Sequence, residues 1–274
     1  HGEKMRIKKW ANFDGHYKYY NTNGEQVTGT TGAMFVCPLI DYNPSANNTN
    51  KYAHLRFDGM ILDGGSVYSP AYDGTGTMTT EGPEGSIIDA MGQVTITNCT
   101  FQNGNGLCFN VHNDGTMKRD FVLTDVVIKG FRHGYGAAIY FRSSDWHNAT
   151  LTRVEISGCW STEDSYGGTI RENGGTKTNL TVVDCNIHHN RAQCGAGIYW
   201  NAGGHNDAKL IIKGNTKIHH NIADRNGGGL YIEARVEIKE NVEIYDNEAQ
   251  YGGGVYFRSY YGHDAKYDGE GFNT

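Results

Sequence analysis

Proline, positive charge and long apolar runs are scarce in this sequence. Only 4 of its 274 residues are proline, and 24 Lys and Arg against 30 Asp and Glu give a net charge of −6. A nucleic-acid-binding protein needs a basic stripe, so this balance argues against that class. No run of 18 apolar residues occurs, so no segment is predicted to insert into a membrane as a helix.

Cysteine occurs six times but never with CxxC spacing, so neither a zinc site nor any other metal or cofactor is predicted. Cys99 and Cys185 stand where other repeats carry valine, which favours buried free thiols. Cys159 and Cys194 fall in predicted turns, and the sequence leaves open whether they pair.

Glycine is abundant, with 38 residues, and it recurs inside a repeated phrase such as GYGAAIYF (134–141) and RNGGGLYI (225–232). The aliphatic anchors of this first phrase are Leu107, Ile139, Ile170, Ile198, Leu230 and Val255. A second phrase alternates with the first, and its anchors are Phe101, Ile128, Ile156, Ile187, Ile218 and Ile244. A period of this size indicates stacked supersecondary units, and short, alternating, β-branched phrases indicate strands. We therefore predict an all-β parallel β-helix (a solenoid) with one pair of strands per repeat.

The repeat divides the chain into three segments. Residues 1–53 do not repeat, and we expect them to cap the open edge of the first rung. The β-helix is predicted over residues 54–257. Residues 258–274 form a tail that could cap the other end, continue into the rest of a longer chain, or meet a second subunit.

Alternation along each first-phrase strand predicts which side chains point outward. The residues after the anchors form the outward row: Cys108, Tyr140, Arg171, Tyr199, Tyr231 and Tyr256. The next residues point inward: Phe109, Phe141, Glu172, Trp200, Ile232 and Phe257. Among these, Glu172 stands out, because a buried carboxylate is costly unless it is paired.

Two sets of polar residues recur at the turn after the second phrase. Asn190, Asn221 and Asn247 are predicted to hydrogen-bond from rung to rung. The pairs 188–189 and 219–220, all histidine, precede two of these asparagines. We expect stacked turn residues there and no metal site, because Tyr245 and Asp246 replace the pair in the next rung.

A candidate glycan site follows from an insertion between Ile156 and Ile170. Their separation is 14 residues, against 11 between Ile187 and Ile198, and the insertion adds carboxylates beside the outward row. Glycoside hydrolysis needs two carboxyl groups at spacings that one or two rungs can provide. The predicted acid/base and nucleophile come from Asp145, Glu163, Asp164 and Glu172. Aromatic faces and polar groups bind sugars, and the predicted binding residues are Tyr140, Arg142, Trp146, Trp160, Arg171 and Tyr199.

The alternation of Gly-Gly-Gly-aliphatic-Tyr with aliphatic-x-x-Asn-x-Ala resembles the right-handed β-helix repeats of bacterial surface proteins, including polymorphic outer-membrane proteins and autotransporter-like adhesins. The resemblance implies a right-handed solenoid and an extracellular or cell-surface location. A weaker resemblance is to β-helical lacto-N-biosidases, which are retaining glycoside hydrolases with two catalytic aspartates; no position here is matched to those aspartates. Pectate lyases share the architecture, but the sequence lacks the Asp cluster of their calcium site.

These observations lead to two functional expectations, both with an oligosaccharide or glycan as the partner. The first is an extracellular glycoside hydrolase that acts on host or dietary glycans and needs no cofactor. The second is a non-catalytic surface adhesin or glycan-binding structural segment. Two convergent carboxylates in a cleft would favour the enzyme, and a flat ladder of tyrosines would favour the adhesin.

Overall fold

The computed structural model describes residues 54–63, 87–90, 93–111, 119–141, 147–162, 167–172, 178–201, 208–258 and 265–268, together with six short strands before residue 54. Every regular element in these residues is a β-strand, and none of them is a helix that could cross a membrane. The strands are β1 (Met5–Ile7), β2 (Ala11–Phe13), β3 (Lys18–Tyr20), β4 (Gln26–Thr28), β5 (Ala33–Val36), β6 (Ile40–Tyr42), β7 (His54–Asp58), β8 (Met60–Asp63), β9 (Ile88–Ala90), β10 (Gln93–Thr97), β11 (Thr100–Gly104), β12 (Phe109–Val111), β13 (Arg119–Thr124), β14 (Val127–His133), β15 (Ile139–Phe141), β16 (His147–Thr152), β17 (Glu155–Ser157), β18 (Trp160–Ser161), β19 (Ile170–Glu172), β20 (Asn179–Val183), β21 (Asn186–His188), β22 (Arg191–Cys194), β23 (Ile198–Asn201), β24 (Lys209–Lys213), β25 (Lys217–His219), β26 (Ile222–Asn226), β27 (Leu230–Glu233), β28 (Arg235–Lys239), β29 (Glu243–Tyr245), β30 (Glu248–Tyr251), β31 (Val255–Phe257) and β32 (Ala265–Asp268).

Three parallel sheets run the length of a parallel β-helix, and each rung gives strands to all three. The first sheet has the order β1-β6-β9-β12-β15-β19-β23-β27-β31. The second has the order β2-β7-β10-β13-β16-β20-β24-β28-β32. The third contains β29-β25-β21-β17-β14-β18-β22-β26-β30, and β11, β8 and β5 extend it from β14. The predicted all-β parallel solenoid is thereby confirmed.

The predicted anchors align from rung to rung, with one exception. Phe109 pairs with Ile139, so the prediction of Leu107 as the anchor of that rung was wrong by two residues. Ile139 pairs with Ile170, and Ile170 pairs with Ile198 in the next strand of the first sheet. In the third sheet, Ile187 pairs with Ile218 in the same way. All these anchors are fully buried, so residues about thirty apart in the chain line common interior columns.

The expectation of one pair of strands per repeat was wrong, because a rung contains two further strands. One lies in the second sheet, such as β20, and the other follows the second phrase in the third sheet, such as β22. The strand β20 alternates buried Leu180 and Val182 with partly exposed Thr181, and β16 and β24 follow the same pattern. Threonine and lysine occupy many of the outward positions, and their branched or long stems pack well on a half-exposed sheet.

The interior is filled by aliphatic columns and a chain of aromatic rings. Phe109 meets Phe101 edge-on at 4.8 Å between ring centroids and Phe121 at 5.4 Å. Phe141 continues this arrangement to Trp200 at 6.0 Å. Edge-to-face contacts of this kind add to the area that the rings bury.

The described strands near both ends continue the same sheets. β1 pairs with β6, and β5 pairs with β8, so residues before 54 extend the first and third sheets. β32 pairs with β28 at the other end of the second sheet. The capping roles of 1–53 and 258–274 stay predictions.

Candidate functional site

The outward row of the first sheet lies in a corner between the first and third sheets. We call Tyr140, Arg171, Tyr199, Tyr231 and Tyr256 the tyrosine column. Two of its rings and Cys194 form a hydrophobic cluster separate from the main core, which confirms the outward direction of these tyrosines. The outward direction predicted for Cys108 was wrong, because Cys108 packs in the main core and Asn110 is the residue opposite Tyr140. The side chains are nonetheless covered, with exposures of 8% for Tyr140 and 2% for Tyr199.

The cover comes from the tight turns that carry the glycines. In one rung, β22 ends at Cys194, and β23 starts at Ile198 after a single turn. Gly195 has φ of +57°, and a Cβ at this position would lie 2.8 Å from the Cα of Tyr199. Only glycine adopts this conformation so close to a neighbouring backbone without strain. The turn therefore brings the third sheet down onto the tyrosine column.

The rings of the column stack along the solenoid axis. Tyr199 and Tyr231 are nearly parallel, at 4.6 Å between centroids and 9° between planes. Tyr231 and Tyr256 are 5.2 Å apart at 18°. These spacings follow the distance of about 4.8 Å between parallel strands. Both faces of the Tyr231 ring are therefore occupied by other rings.

Arg171 takes the place of a tyrosine in the rung before that of Tyr199. Its guanidinium carbon lies 5.8 Å from the ring centroid of Tyr199 and 5.5 Å from that of Tyr140. Tyr135, from the preceding turn, stacks on Tyr140 at 5.7 Å and approaches the Arg171 guanidinium to 4.6 Å. Arg171 is thus held by cation–π contacts with three rings. Tyr135 itself is 38% exposed and ends the stack toward solvent.

A carboxylate lies beside the column on the strand that carries Tyr231. Glu233 is buried, and it accepts a hydrogen bond from the Tyr231 hydroxyl and one of 3.1 Å from Arg258 Nη1. Burial, together with the hydrogen bond to Glu233, raises the pKa of the Tyr231 phenol. Tyr231 therefore keeps its proton and acts as a donor to the carboxylate.

A second stack lies on the adjoining strands of the third sheet. We call Arg132, Trp160, Arg191 and Asp224 the arginine–tryptophan stack. The guanidinium carbons of Arg132 and Arg191 lie 5.1 and 5.9 Å from the Trp160 ring centroid. Arg191 Nη2 donates to Asp224 Oδ1 at 2.9 Å. This places charged donors and a half-buried indole on the outer surface.

The predicted carboxylates are not brought together within the described residues. Glu172 points inward as predicted and is fully buried opposite Phe141 in the register. It therefore does not line the outer surface where the two stacks lie. Five predicted site residues lie outside the described residues: Asp145, Glu163, Asp164, Arg142 and Trp146. The catalytic and sugar-binding roles of all these residues stay predictions.

The residues that flank the insertion do lie at the corner. Residues 163–166 connect β18 to β19, and these strands carry Trp160 and Arg171. The insertion therefore begins next to the arginine–tryptophan stack and ends next to the tyrosine column. Three features of the site were not predicted from the sequence: Tyr135, Arg191 and the Glu233–Arg258 pair. A signal for the pair was present, because Glu233 and Arg258 each stand two residues after a tyrosine of the outward row.

The histidine turns are stacked, as predicted. His188 lies on His219 with 5.0 Å between centroids and 5° between planes, and His189 lies on His220 at 5.0 Å and 10°. Tyr245 continues the first of these stacks at 4.8 Å from His219. No cluster of three or more potential ligands among the described residues could hold a metal ion.

Comparison with known proteins agrees with the architecture. The family described as "Right handed beta helix region" matches residues 85–262, which is well over half of the chain. The chain therefore belongs to the right-handed β-helix family. No curated protein and no solved structure matches it.

Proposed function

We propose that this chain is an extracellular or cell-surface β-helix that binds a glycan at the corner where the tyrosine column meets the arginine–tryptophan stack. The observation that carries the proposal is the pairing of an exposed aromatic ring, Tyr135, with guanidinium groups stacked on Tyr135 and on Trp160. Sugars offer C–H surfaces to aromatic rings and hydroxyls to charged donors, and both kinds of group are present here.

The stacking determines how a sugar would bind. Tyr231 lies between Tyr199 and Tyr256, and Tyr199 also contacts the Arg171 guanidinium, so neither ring offers a face to a sugar. The most exposed ring at this corner is that of Tyr135, at 38%. Arg132 and Arg191 add donors in a planar, pre-organised geometry, which suits hydroxyl pairs and carboxylates. Recognition would therefore combine one stacked sugar with polar contacts to its neighbours.

Glycoside hydrolysis is the second candidate, favoured by the position of the insertion between Trp160 and Arg171. Glu163 and Asp164 belong to that insertion, and catalysis would need a pair of carboxyl groups. The described part of the corner supplies Glu233, which already accepts bonds from Tyr231 and Arg258. We therefore rank binding first and assign any hydrolysis to Asp145, Glu163 and Asp164.

A glycan array tests the binding proposal. Tyr135→Ala and Trp160→Ala should each weaken binding of the recognised glycan by about 10-fold or more, since aromatic contacts dominate sugar binding. Tyr251→Ala is the matched control, because Tyr251 is 59% exposed on β30 in the last described rung. Absence of any bound glycan, or equal binding by Tyr135→Ala and the control, would overturn the proposal.

A separate assay decides between binding and hydrolysis. The bound glycan is incubated with the chain, and released sugars are measured by mass spectrometry. Asp145→Asn, Glu163→Gln, Asp164→Asn and Glu172→Gln are compared with the exposed control Glu248→Gln. If the variants of two carboxylates still bind the glycan but no longer release sugars from it, the chain is an enzyme. Binding without release by the unmodified chain would establish an adhesin.

A further inference from the structure

Two histidine pairs on successive rungs bring their Nδ1 atoms together. The Nδ1 atoms of His188 and His189 share a hydrogen bond of 2.8 Å, and those of His219 and His220 share another of 2.8 Å, so one ring of each pair carries its proton on Nδ1. The second histidine of each pair has a left-handed backbone, with φ of 53° at His189 and 52° at His220. This conformation turns the chain sharply after the strand, which brings the two imidazoles of each pair to one side.

In three of the four rings, the opposite nitrogen lies near an oxygen atom. His219 Nε2 lies 3.0 Å from Asn186 Oδ1, which can only accept a hydrogen bond. His188 Nε2 lies 3.6 Å from a Glu155 carboxylate oxygen, and His220 Nε2 lies 3.9 Å from an Asp246 carboxylate oxygen. The acceptor at 3.0 Å holds the His219 proton on Nε2 and leaves the His219 Nδ1 lone pair to accept from His220 Nδ1–H, whereas the contacts of 3.6 and 3.9 Å are too long to fix a tautomer. Metal-binding histidines in proteins are oriented by outer oxygen groups in this way.

The spacing of the Nδ1 atoms selects a coordination geometry. With metal–nitrogen bonds of about 2.0–2.1 Å, a separation of 2.8 Å corresponds to an angle of about 85–90° at the metal. A tetrahedral zinc site would need about 3.3 Å between the two nitrogens. The pairs therefore suit neighbouring ligands of a square or tetragonal site, the geometry typical of Cu²⁺ and Ni²⁺ with nitrogen ligands.

We propose that each histidine pair chelates one Cu²⁺ ion through its two Nδ1 atoms, with water molecules as the remaining ligands. Cu²⁺ is preferred over Ni²⁺ because it binds nitrogen ligands most tightly among these divalent ions. In each pair, the ring that carried its proton on Nδ1 moves that proton to Nε2 when the ion binds. The binding is independent of the proposed glycan site.

The distance between the two pairs sets the relative affinity of the two ions. The pairs stand one rung apart, so two bound dications repel each other. We therefore expect two ions per chain, the second bound about 10-fold or more weakly than the first.

Titration with copper(II) chloride alone, followed by calorimetry and electron paramagnetic resonance, tests this. The double variant His189→Asn/His220→Asn removes one ligand from each pair, and asparagine tolerates the left-handed backbone. His133→Asn is the control, because it removes a described histidine that belongs to neither pair. The unmodified chain and the control should bind two more ions than the double variant, with two imidazole nitrogens coordinated to each.

Two results would overturn the proposal. One is equal copper binding by the unmodified chain and the double variant. The other is a spectrum with a single coordinated imidazole for the tightest ion. If circular dichroism shows that the double variant does not fold, the single variants His189→Asn and His220→Asn replace it. Each should then lose one of the two ions, and an unchanged count in both would reject the sites.

Discussion

Asn190 Nδ2 donates a hydrogen bond of 3.0 Å to Asn221 Oδ1, one rung along the solenoid. The same oxygen accepts the backbone N–H of Asn190 at 3.1 Å, and Asn190 Nδ2 also donates to the Ile156 carbonyl at 3.0 Å. Asn221 repeats this pattern with Asn247, at 2.9 Å between the side chains. The predicted asparagine ladder is thus confirmed. It satisfies buried backbone groups at a corner where the strand ladder is interrupted.

Replacing the middle residue of this ladder should be costly. Asn221→Ala leaves the buried N–H of Asn190 without its acceptor and the Ile187 carbonyl without its 3.0 Å donor. Two buried groups left unsatisfied should lower the free energy of unfolding by about 2–4 kcal/mol. Urea denaturation followed by circular dichroism measures this change.

The control for this prediction is Asn241→Ala. Asn241 also donates to an asparagine of the neighbouring rung, Asn215, at 3.2 Å, but in an exposed position. Water replaces such a bond, so the change should stay within about 0.5 kcal/mol. Equal losses for the two variants would contradict a specific stabilising role for the ladder.

Gly229 lies where the backbones of two rungs are too close together to leave room for a side chain. A Cβ there would lie 2.5 Å from the carbonyl oxygen of Gly254, and that oxygen accepts the Leu230 N–H at 2.9 Å. The oxygen cannot move away without breaking this bond. We expect Gly229→Ala to lower the free energy of unfolding by about 1–3 kcal/mol.

Calorimetry of Gly229→Ala beside Gly134→Ala checks this prediction. Gly134 begins a copy of the same phrase, but a Cβ there would meet no heavy atom within 4 Å. The melting temperature of Gly134→Ala should therefore stay close to that of the unmodified chain. A loss of similar size in both variants would show that the effect is a general property of glycine and not of the close rungs.

The first and third sheets could be predicted because their turns carry distinctive residues. Glycine runs precede anchors such as Ile198, and Asn190 follows an anchor by three residues, so both spacings are visible in the sequence. The second sheet was missed because nothing comparable marks its turns. Its strand around Leu180 and Val182 shows only the alternation that any half-buried strand shows.

The candidate site was predicted less completely, for a physical reason. Alternation gives the side of the sheet on which Tyr199 lies, but it does not give the distance to the neighbouring sheet. The sharp turn at Gly195 sets that distance, and it buries the row that alternation placed outside. The contact between Glu233 and Arg258 likewise depends on the rung length, which varies through the chain.

Glu237 should make stability depend on pH. It lies between Lys209 and Lys239 on the outer face of the second sheet, and its bond to Lys239 Nζ is 2.7 Å. Hydrogen bonds from Lys209 and Lys239 lower the pKa of the Glu237 carboxyl to about 2. A lowered folded-state pKa stabilises the fold above the unfolded-state pKa of about 4.3, and this stability is lost as pH falls toward 2.

Comparison of Glu237→Gln with the unmodified chain measures the effect. At pH 6 the unmodified chain should be more stable by about 1–2 kcal/mol, a value reduced for partial exposure to solvent. Urea denaturation between pH 6 and pH 2 should show this difference shrinking toward zero. Glu243→Gln removes the exposed pair with Lys217, 3.3 Å apart, and should change stability by less than about 0.5 kcal/mol. A difference for Glu237→Gln that stays constant with pH would contradict the ion-pair explanation.

The cysteines should be unreactive in the folded chain. The five cysteines within the described residues are free and buried, as expected for Cys99 and Cys185. Cys159 and Cys194, whose pairing the sequence left open, do not pair. Cys37 lies outside the described residues. Burial raises the pKa of both Cys99 and Cys159 to about 12. The thiolate is the reactive form, and at pH 8 such a thiol holds a fraction on the order of 10⁻⁴ as thiolate.

Labelling with iodoacetamide at pH 8, followed by mass spectrometry of peptides, checks this. Peptides that contain Cys99 and Cys159 should remain unmodified in the native chain and become labelled in concentrated urea. Cys194 serves as the internal comparison, because it lies at the tyrosine column with 4% exposure, whereas Cys159 has 1%. It should label before Cys159 as urea is added, since the corner opens before the interior columns separate. Labelling of Cys159 in the native chain within about 10-fold of the denatured rate would show that the solenoid interior is accessible, contrary to the packing of its rungs.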